Sequence, residues 1–561
     1  MRATFGTILF FAALTLLIVW PLPTALATRV PGDFGDPLFI SWVMSWVAQR
    51  LSTALTDPLS LTTFWDAPIF RPETGALTFS EHFIPQTVMV LPVYWLTHNL
   101  ILSYNVAFLL SYVLTGTGTA LLTRALTGSL AAGLFAGIVA AFNEYRLVWE
   151  VAHLQTLSVY WLPFVLLGIH RYLVTGKRWP LAGAGLSWIA LNLSSVYYLA
   201  YCSPFVALFA LIEMVRLGRW RNWLVWRDLT AATVIVFAMT APFVWPYMQM
   251  QQRLNFQRTP QEVITHSATI DAYVVALPRL TVPLVLAALS LLAAIVNPRI
   301  RSRRAKPERA AFDPLLAIAL GVFAIGAVWL SLGPVVQWGG RVVDVPAIYP
   351  AFARLPGYSG LRVPARFASL FLIFLGMLAG LAVQRLGERW PRLAPAAALI
   401  AASLFLWQGR AQRVPLDQPL PSAGLAPPPA YLAPSPHLPA IYQAVTHLPA
   451  TAVVAEFPFG DPWYDVRYMF FAATHHRAEL NGYSGVFPPS YRARQSVLGR
   501  PFRNSDRAWV SLDASTHVIV HNAAWPDDTG PRIGAWLVEK GAVLVGEVEG
   551  ASFYKLRDAP Q

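Results

Sequence analysis

The chain has 561 residues, of which 56% are hydrophobic and only 13% charged, with a mean hydropathy of +0.48. Soluble domains carry about 25% charged residues, so this composition excludes a string of ordinary soluble domains and points to a polytopic chain with lipid over much of its surface. The net charge of +13 sits in short basic runs between apolar segments, a pattern that orients a membrane protein and does not suggest nucleic acid. One cysteine, Cys202, leaves no internal disulfide and no cysteine-rich metal site.

A spanning helix takes about 20 mostly apolar residues. On that length, spans are expected near 5–27, 100–123, 129–142, 154–170, 180–198, 202–215, 229–246, 275–296, 312–332, 368–384 and 393–408. The first segment ends in TALATRV, and so much apolar chain follows that an uncleaved anchor is the better reading. Residues 84–98 are apolar but short and broken by two prolines. If they lie along the membrane without crossing it, the basic runs all fall on one side, the cytoplasmic one. Those runs are Arg124, Arg171 to Arg178, Arg216 to Arg227, residues 299–309, and Arg385 to Arg392. The N-terminus is then cytoplasmic. The loops 28–99, 143–153, 247–274 and 333–367, together with the tail from 409, face outward.

The first outer loop begins PGDFGDP and continues into a tryptophan-rich segment, 38–54, expected as an interfacial amphipathic helix. Asp36 and Asp33 precede it. A carboxylate there could deprotonate an acceptor hydroxyl or hold a divalent cation beside a phosphate. The same residues also suit a helix start, because Asp36 precedes Pro37. Farther on, Glu81 and His82 are adjacent. They could line a cavity or bind a metal, or simply cap the next helix. The second loop, FNEYRLVWEVAHLQT, sets Glu144, Arg146, Glu150 and His153 at the membrane boundary. Polar groups are costly there unless paired or functional. Arg146 could clamp a phosphate or close an ion pair. The loop 247–274 carries Arg253, Arg258, Glu262, His266 and Asp271 and is long enough for a lid. In the last outer loop, Arg362 and Arg366 flank Pro364 just before a span, with Tyr358 close by. Outward-facing arginines run against the positive-inside trend. They suit a diphosphate or a lipid headgroup.

After 408 the composition changes. Residues 414–437 are rich in proline and alanine, as in a stiff linker. Beyond them, IYQAVTHL reads as a helix, TAVVAEFPF and THVIVH as strands, PRIGAWLVEKG as a helix and VLVGEVEG and SFYKL as strands. The expected architecture is mainly α: a polytopic helical membrane protein of about eleven spans with a small α/β domain after it. Its parts are a transmembrane domain, 1–408, a linker, 409–437, and an extracytoplasmic domain, 438–561. The tail also holds the turn-rich NGYSG, with Tyr483 able to touch a ligand.

Three short motifs, Gly35-Asp36-Pro37 after the first span, Arg362 to Phe367 (RVPARF) before a late span, and Asn481 to Gly485 (NGYSG) in the tail, occur in this order. In this layout the chain resembles the GT-C superfamily of polytopic glycosyltransferases, and within it a bacterial branch with a C-terminal extracytoplasmic domain. The resemblance implies a catalytic acid in the first outer loop, Asp36 first and Asp33 second, and a supporting acid in the second, Glu144. It implies transfer of a sugar from a polyprenyl-phosphate donor to an extracytoplasmic glycan, lipid or protein acceptor, at a bacterial inner or plasma membrane. Glu81, His82, Arg146, His153, Arg362, Arg366, Tyr358 and Tyr483 are the candidate substrate contacts. The chain has no DxD in the second loop and no WWDYG motif. Protein N-glycosylation is therefore not expected, and a divalent cation such as Mg or Mn stays open. The competing readings are a transporter or flippase of a lipid-linked saccharide, and a noncatalytic envelope-assembly protein. The expected partners are membrane lipids and the lipid-linked sugar, and no nucleic acid.

Overall fold

The computed structural model describes residues 2–296, 311–355, 360–409, 414–420, 422, 424–427 and 436–559. The apolar segments picked out above are largely helical, but the first helix ends at Ile18, short of 27, and 180–198 is divided at Ser195 between two helices. Among the described residues, seven helices are long and apolar enough to span a bilayer: Leu100–Thr127, Leu154–Thr175, Val196–Arg216, Trp223–Arg253, Pro260–Val296, Pro314–Ser331 and Pro364–Arg389. Ala3–Ile18 and Ala394–Gly409 are apolar but shorter. This is a multi-pass helical membrane protein. Its chain divides into two compact units, each assembled from separated stretches of sequence.

The first unit comprises Met1–Trp20, Phe108–Val244 and Gln257–Val414. At its centre is the helix Ala368–Arg389, packed against Leu130–Ala141, Ile270–Val296 and Pro314–Ser331. Small residues let these backbones touch, the usual device where lipid removes the hydrophobic drive between helices. A Cβ on Gly376 would stand 2.7 Å from the Ala136 carbonyl oxygen, and one on Gly137 would stand 2.4 Å from that of Gly116. Trp223–Arg253 is the opposite case: Val234, Ile235, Phe237 and Met239 are exposed along it, an apolar face suited to acyl chains. One buried charge cluster of this unit is closed by ion pairs. Arg216 bridges Glu213 at 2.5 Å and Asp313 at 3.0 Å, and His170 lies 2.8 Å from Glu213.

The second unit comprises Pro21–Ala107, Trp245–Phe256 and Pro415–Gln561. Its sheet has five strands: β1 (Val453–Phe457), β2 (Ala478–Glu479), β3 (His517–His521), β4 (Val543–Val548) and β5 (Ala551–Lys555). The order is β2-β1-β3-β5-β4. β1 is parallel to both β2 and β3, whereas β5 is antiparallel to β3 and β4. The link from β1 to β2 is the helix Pro462–His475, started by the Asp461 carboxylate, which accepts the N–H groups of Trp463 and Tyr464.

The first loop completes this sheet. Phe70 N–H donates to the Asn481 carbonyl at 3.0 Å, Arg71 N–H to that of Glu479 at 3.0 Å, and Glu479 N–H to that of Pro68 at 2.9 Å. A second strip joins 29–33 to 415–418: Gly32 N–H donates to Pro415, Asp417 N–H to Val30 and Gln418 N–H to Gly32. Asp417 also takes Arg29 at 2.5 Å. The tryptophan-rich segment forms the helix Asp36–Thr53. It differs from the expected interfacial helix in its surroundings. Residues Pro37 to Ser45 are all buried, between Ile84–Thr97 and Pro462–His475, so protein covers the face that hydropathy would have given to lipid.

Candidate functional site

Two groups of polar side chains stand out, one in each unit. In the second unit, Gly35 caps the helix that begins at Asp36, with Pro37 next. Pro37 needs no backbone partner there, and the positive end of the helix dipole favours a carboxylate at Asp36. Asp33 serves the turn itself: its Oδ1 accepts the Gly35 N–H at 2.8 Å. Gly35 has little room, since a Cβ would stand 3.0 Å from the Trp463 ring. The Asp36 carboxylate accepts a hydrogen bond from the Tyr483 hydroxyl at 3.1 Å. The sequence motifs GDP and NGYSG therefore meet at these two side chains.

NGYSG is anchored from beneath. Asn481 is fully buried. Its side-chain oxygen accepts the Glu456 N–H at 2.8 Å, and its amide nitrogen donates to the Glu456 carbonyl at 3.0 Å and to Asp465 at 2.8 Å. Glu456, Asp465 and Glu479 are all fully buried. Burial pushes the Asp465 carboxyl up to about 8. It drives Glu479 well above its ordinary value as well, helped by the charges of Glu456 and Asp465. Tyr442 and His521 both bond Glu456, at 2.8 and 2.6 Å.

Glu81 and His82 belong to the same unit. Ser80 Oγ donates to Glu81 at 3.2 Å. His82 is buried among Trp65 and Tyr247, and its Nδ1 accepts the Ile84 N–H at 3.2 Å. Burial lowers its pKa to about 3, so the ring is neutral and acts as a turn acceptor.

In the first unit, Arg258 and Arg362 both reach Glu262 Oε1, at 2.8 and 3.3 Å. Arg366 stacks on the Tyr197 ring at 4.5 Å. Burial chiefly, with the charge of Arg362 adding to it, holds the Arg258 guanidinium below its ordinary value. Two guanidinium groups thus share one carboxylate, an arrangement that could also receive an anion. The RVPARF segment is pinned by Tyr201, whose hydroxyl donates to Val363 O at 3.2 Å and whose ring stacks on Phe367 at 3.9 Å. Tyr145 Oη lies 3.2 Å from the Ala365 carbonyl and 3.3 Å from Glu150. His153 is 3.4 Å from Glu150. Arg146 is turned to the backbone, donating to the carbonyls of Ser111 and Leu157 at 3.2 Å. Glu144 is held by Arg279, 2.7 Å from each carboxylate oxygen. Tyr358 lies outside the described residues. Among the described residues, no three His, Cys, Asp or Glu side chains are grouped to hold a metal ion.

No protein-family model matches the chain, and no curated protein matches it. Solved structures do match. The arabinofuranosyltransferase AftD from Mycobacteria is 14% identical with a TM-score of 0.55, over 98% of this chain and 41% of that one. Two structures of ArnT from Cupriavidus metallidurans, one in the apo state and one bound to undecaprenyl phosphate, are each 13% identical with a TM-score of 0.47. The apo structure is covered over 100% of both chains and the bound one over 99% of both. The chain has a GT-C-like fold.

On this GT-C-like fold, several polar contacts were not drawn from sequence. Arg279 sits in the apolar run VVALPRLTV, and an arginine there is costly unless paired. That signal called for a partner, though not for Glu144. Arg258 and Glu262 gave no such signal in their mixed loop. Glu456, lone in the strand TAVVAEFPF, was the visible trace of the buried network beneath NGYSG.

Proposed function

We propose that the protein is a membrane glycosyltransferase that moves a sugar from a polyprenyl-phosphate donor to a hydroxyl acceptor outside the cytoplasm, at a bacterial inner or plasma membrane. In this reading the N-terminus is cytoplasmic and the tail is extracytoplasmic. The observation that carries it is that Arg258 and Arg362 share Glu262, with Arg366 close enough to Arg362 to act on its charge, in a chain otherwise poor in charge. Planar guanidinium groups suit the phosphate of a carrier lipid. The fold shared with an arabinofuranosyltransferase supports the same class by analogy.

The acceptor hydroxyl gives its proton to Asp36 while its oxygen bonds to the sugar C1. The C1–O bond to phosphate breaks, and its electron pair leaves with the polyprenyl phosphate. Asp36 suits the base because its carboxylate stands at a helix start and is bonded by the Tyr483 hydroxyl.

The test uses purified full-length protein in liposomes with undecaprenyl-phosphate-linked glucose, mannose, galactose and arabinofuranose. The readout is release of undecaprenyl phosphate in the presence of membrane glycans. Asp36→Asn should lose turnover by at least a hundredfold while still binding undecaprenyl phosphate. Arg362→Ala should weaken that binding by about tenfold. Movement of intact donor across the bilayer without chemical transfer would refute the enzyme in favour of a flippase.

A further inference from the structure

The tail segregates its charge. Between 489 and 513 it has five arginines and two aspartates, whereas the rest of 438–561 has six basic residues and ten acidic ones. Local structure gathers the arginines at one corner. The helix Pro489–Leu498 is followed by the turn Pro501–Arg503 and by Ser505–Val510, which Asn504 starts by accepting the Arg507 N–H at 3.0 Å. The three elements pack on one another. Tyr491, Leu498, Pro501 and Ala508 face inward, and Arg492, Arg500, Arg503 and Arg507 are left exposed.

The nearby carboxylates are engaged elsewhere. Asp513 is 3.0 Å from Arg494, Asp506 pairs with Lys540, and Glu73 of the first loop accepts the Ser490 hydroxyl. Among the described residues, no carboxylate pairs with the four exposed arginines. Guanidinium forks match carboxylates and phosphates. Cations spread over several elements suit a chain of charges better than one isolated anion. Phe502 is 41% exposed, with the Arg532 guanidinium 4.8 Å from its ring centroid, so a sugar ring would meet an apolar face beside a cation. A lipid surface asks for more apolar area. The corner exposes only Phe502 and Val510 among its large apolar residues, whereas Leu55, Leu59 and Leu96 in the first loop of the same unit are 75–85% exposed.

The corner also begins close to the proposed base. The Arg492 guanidinium is 5.3 Å from the Phe487 ring centroid, Phe487 is 6.2 Å from the Tyr483 ring, and the Tyr483 hydroxyl bonds Asp36. We infer that the acceptor is an anionic glycan, a sugar polymer bearing carboxylates or phosphates, bound along Arg492, Arg500, Arg503, Arg507 and Phe502. The role of acceptor rests on the proposed transfer; the binding face does not.

The experiment uses full-length protein in nanodiscs of neutral phosphatidylcholine, with fluorescent polygalacturonate, phosphorylated dextran and plain dextran as probes. Both charged polymers should bind, at least tenfold more tightly than plain dextran, and binding should fade as salt rises. The combined Arg500→Gln, Arg503→Gln and Arg507→Gln variant should bind them at least tenfold more weakly at an unchanged melting midpoint. Arg171→Gln, Lys177→Gln and Arg221→Gln together remove the same charge from the first unit and should change nothing. In the transfer assay with the four donors above, the tail variant should raise the KM for membrane glycans at least tenfold and leave kcat within twofold. Wild-type polymer binding by the tail variant overturns the inference, as does equal binding of plain dextran. A variant that loses only its capture of phosphatidylglycerol vesicles overturns it in favour of a membrane contact. Transfer with an unmoved KM overturns the acceptor assignment alone. Polymer binding that the variant abolishes, beside a wild type inert toward all four donors, overturns the proposed transfer and leaves a glycan-binding face.

Discussion

Replacing Asp465 by Asn should stabilise the protein at neutral pH and not at acidic pH. Asp465 is fully buried, with Asn481 Nδ2 at 2.8 Å and the Gly460 N–H at 3.4 Å on one oxygen and the Tyr491 hydroxyl on the other. Burial raises its pKa from 3.8 to about 8, so the folded state holds a proton that the unfolded chain releases above pH 4. A raised folded pKa gives stability that is full below the unfolded pKa and is lost as pH climbs through the folded one. The slope across that window is about 1.4 kcal/mol per pH unit. At pH 7 the wild type should therefore have lost on the order of 4 kcal/mol relative to its acid limit. Asn keeps the shape, offers an amide N–H where the neutral acid offers its O–H, and does not titrate. Thermal unfolding of both proteins in detergent, followed by tryptophan fluorescence from pH 4.5 to 8.5, checks this. The midpoints should lie close together near pH 4.5, and the variant should gain about 3–4 °C by pH 7. A midpoint difference that is flat with pH would show that Asp465 is ionised in the fold, and would refute the reasoning.

Gly482→Ala places a Cβ 2.6 Å from two ring carbons of Phe70, which is itself wedged against Phe79, Phe487 and Tyr491. The overpacking should cost about 1–3 kcal/mol, read as a lower melting midpoint, and should reduce turnover by displacing the neighbouring Tyr483. Arg279→Ala removes the cation from the mostly buried Glu144. It should destabilise the protein by about 2–3 kcal/mol, with Glu144→Gln added to it restoring part of the loss in the same melting assay.

The apolar segments were legible because a bilayer demands long uninterrupted hydropathy, although the first helix stops at Ile18 and 180–198 breaks at Ser195. The tail strands were legible for a similar reason: THVIVH has a fully apolar centre that only a buried strand accommodates. The strand order was not legible, because parallel pairing of β1 with both β2 and β3 depends on contacts far apart in sequence. Hydropathy also misread 38–54. Its tryptophans suit an interface, yet Trp42 is buried and Trp46 donates to the Phe64 carbonyl at 2.9 Å. Within the candidate site, Asp36, Arg362 and Arg366 were visible as charges out of place. Arg146 looked the same in sequence but spends its guanidinium on backbone carbonyls, a choice that only the fold around Ser111 and Leu157 makes.

Tyr483 lies 447 positions after the aspartate it bonds, and residues 68–71 find their sheet neighbours only at 479–481. During translation the early loop must therefore wait, inserted but unfinished, until nearly the whole polypeptide has left the ribosome. Closing so long a loop is slow, and exposed edges in the interval invite aggregation and proteolysis. A premature stop anywhere before 478 should accordingly yield a chain that the cell degrades, and no residual membrane half.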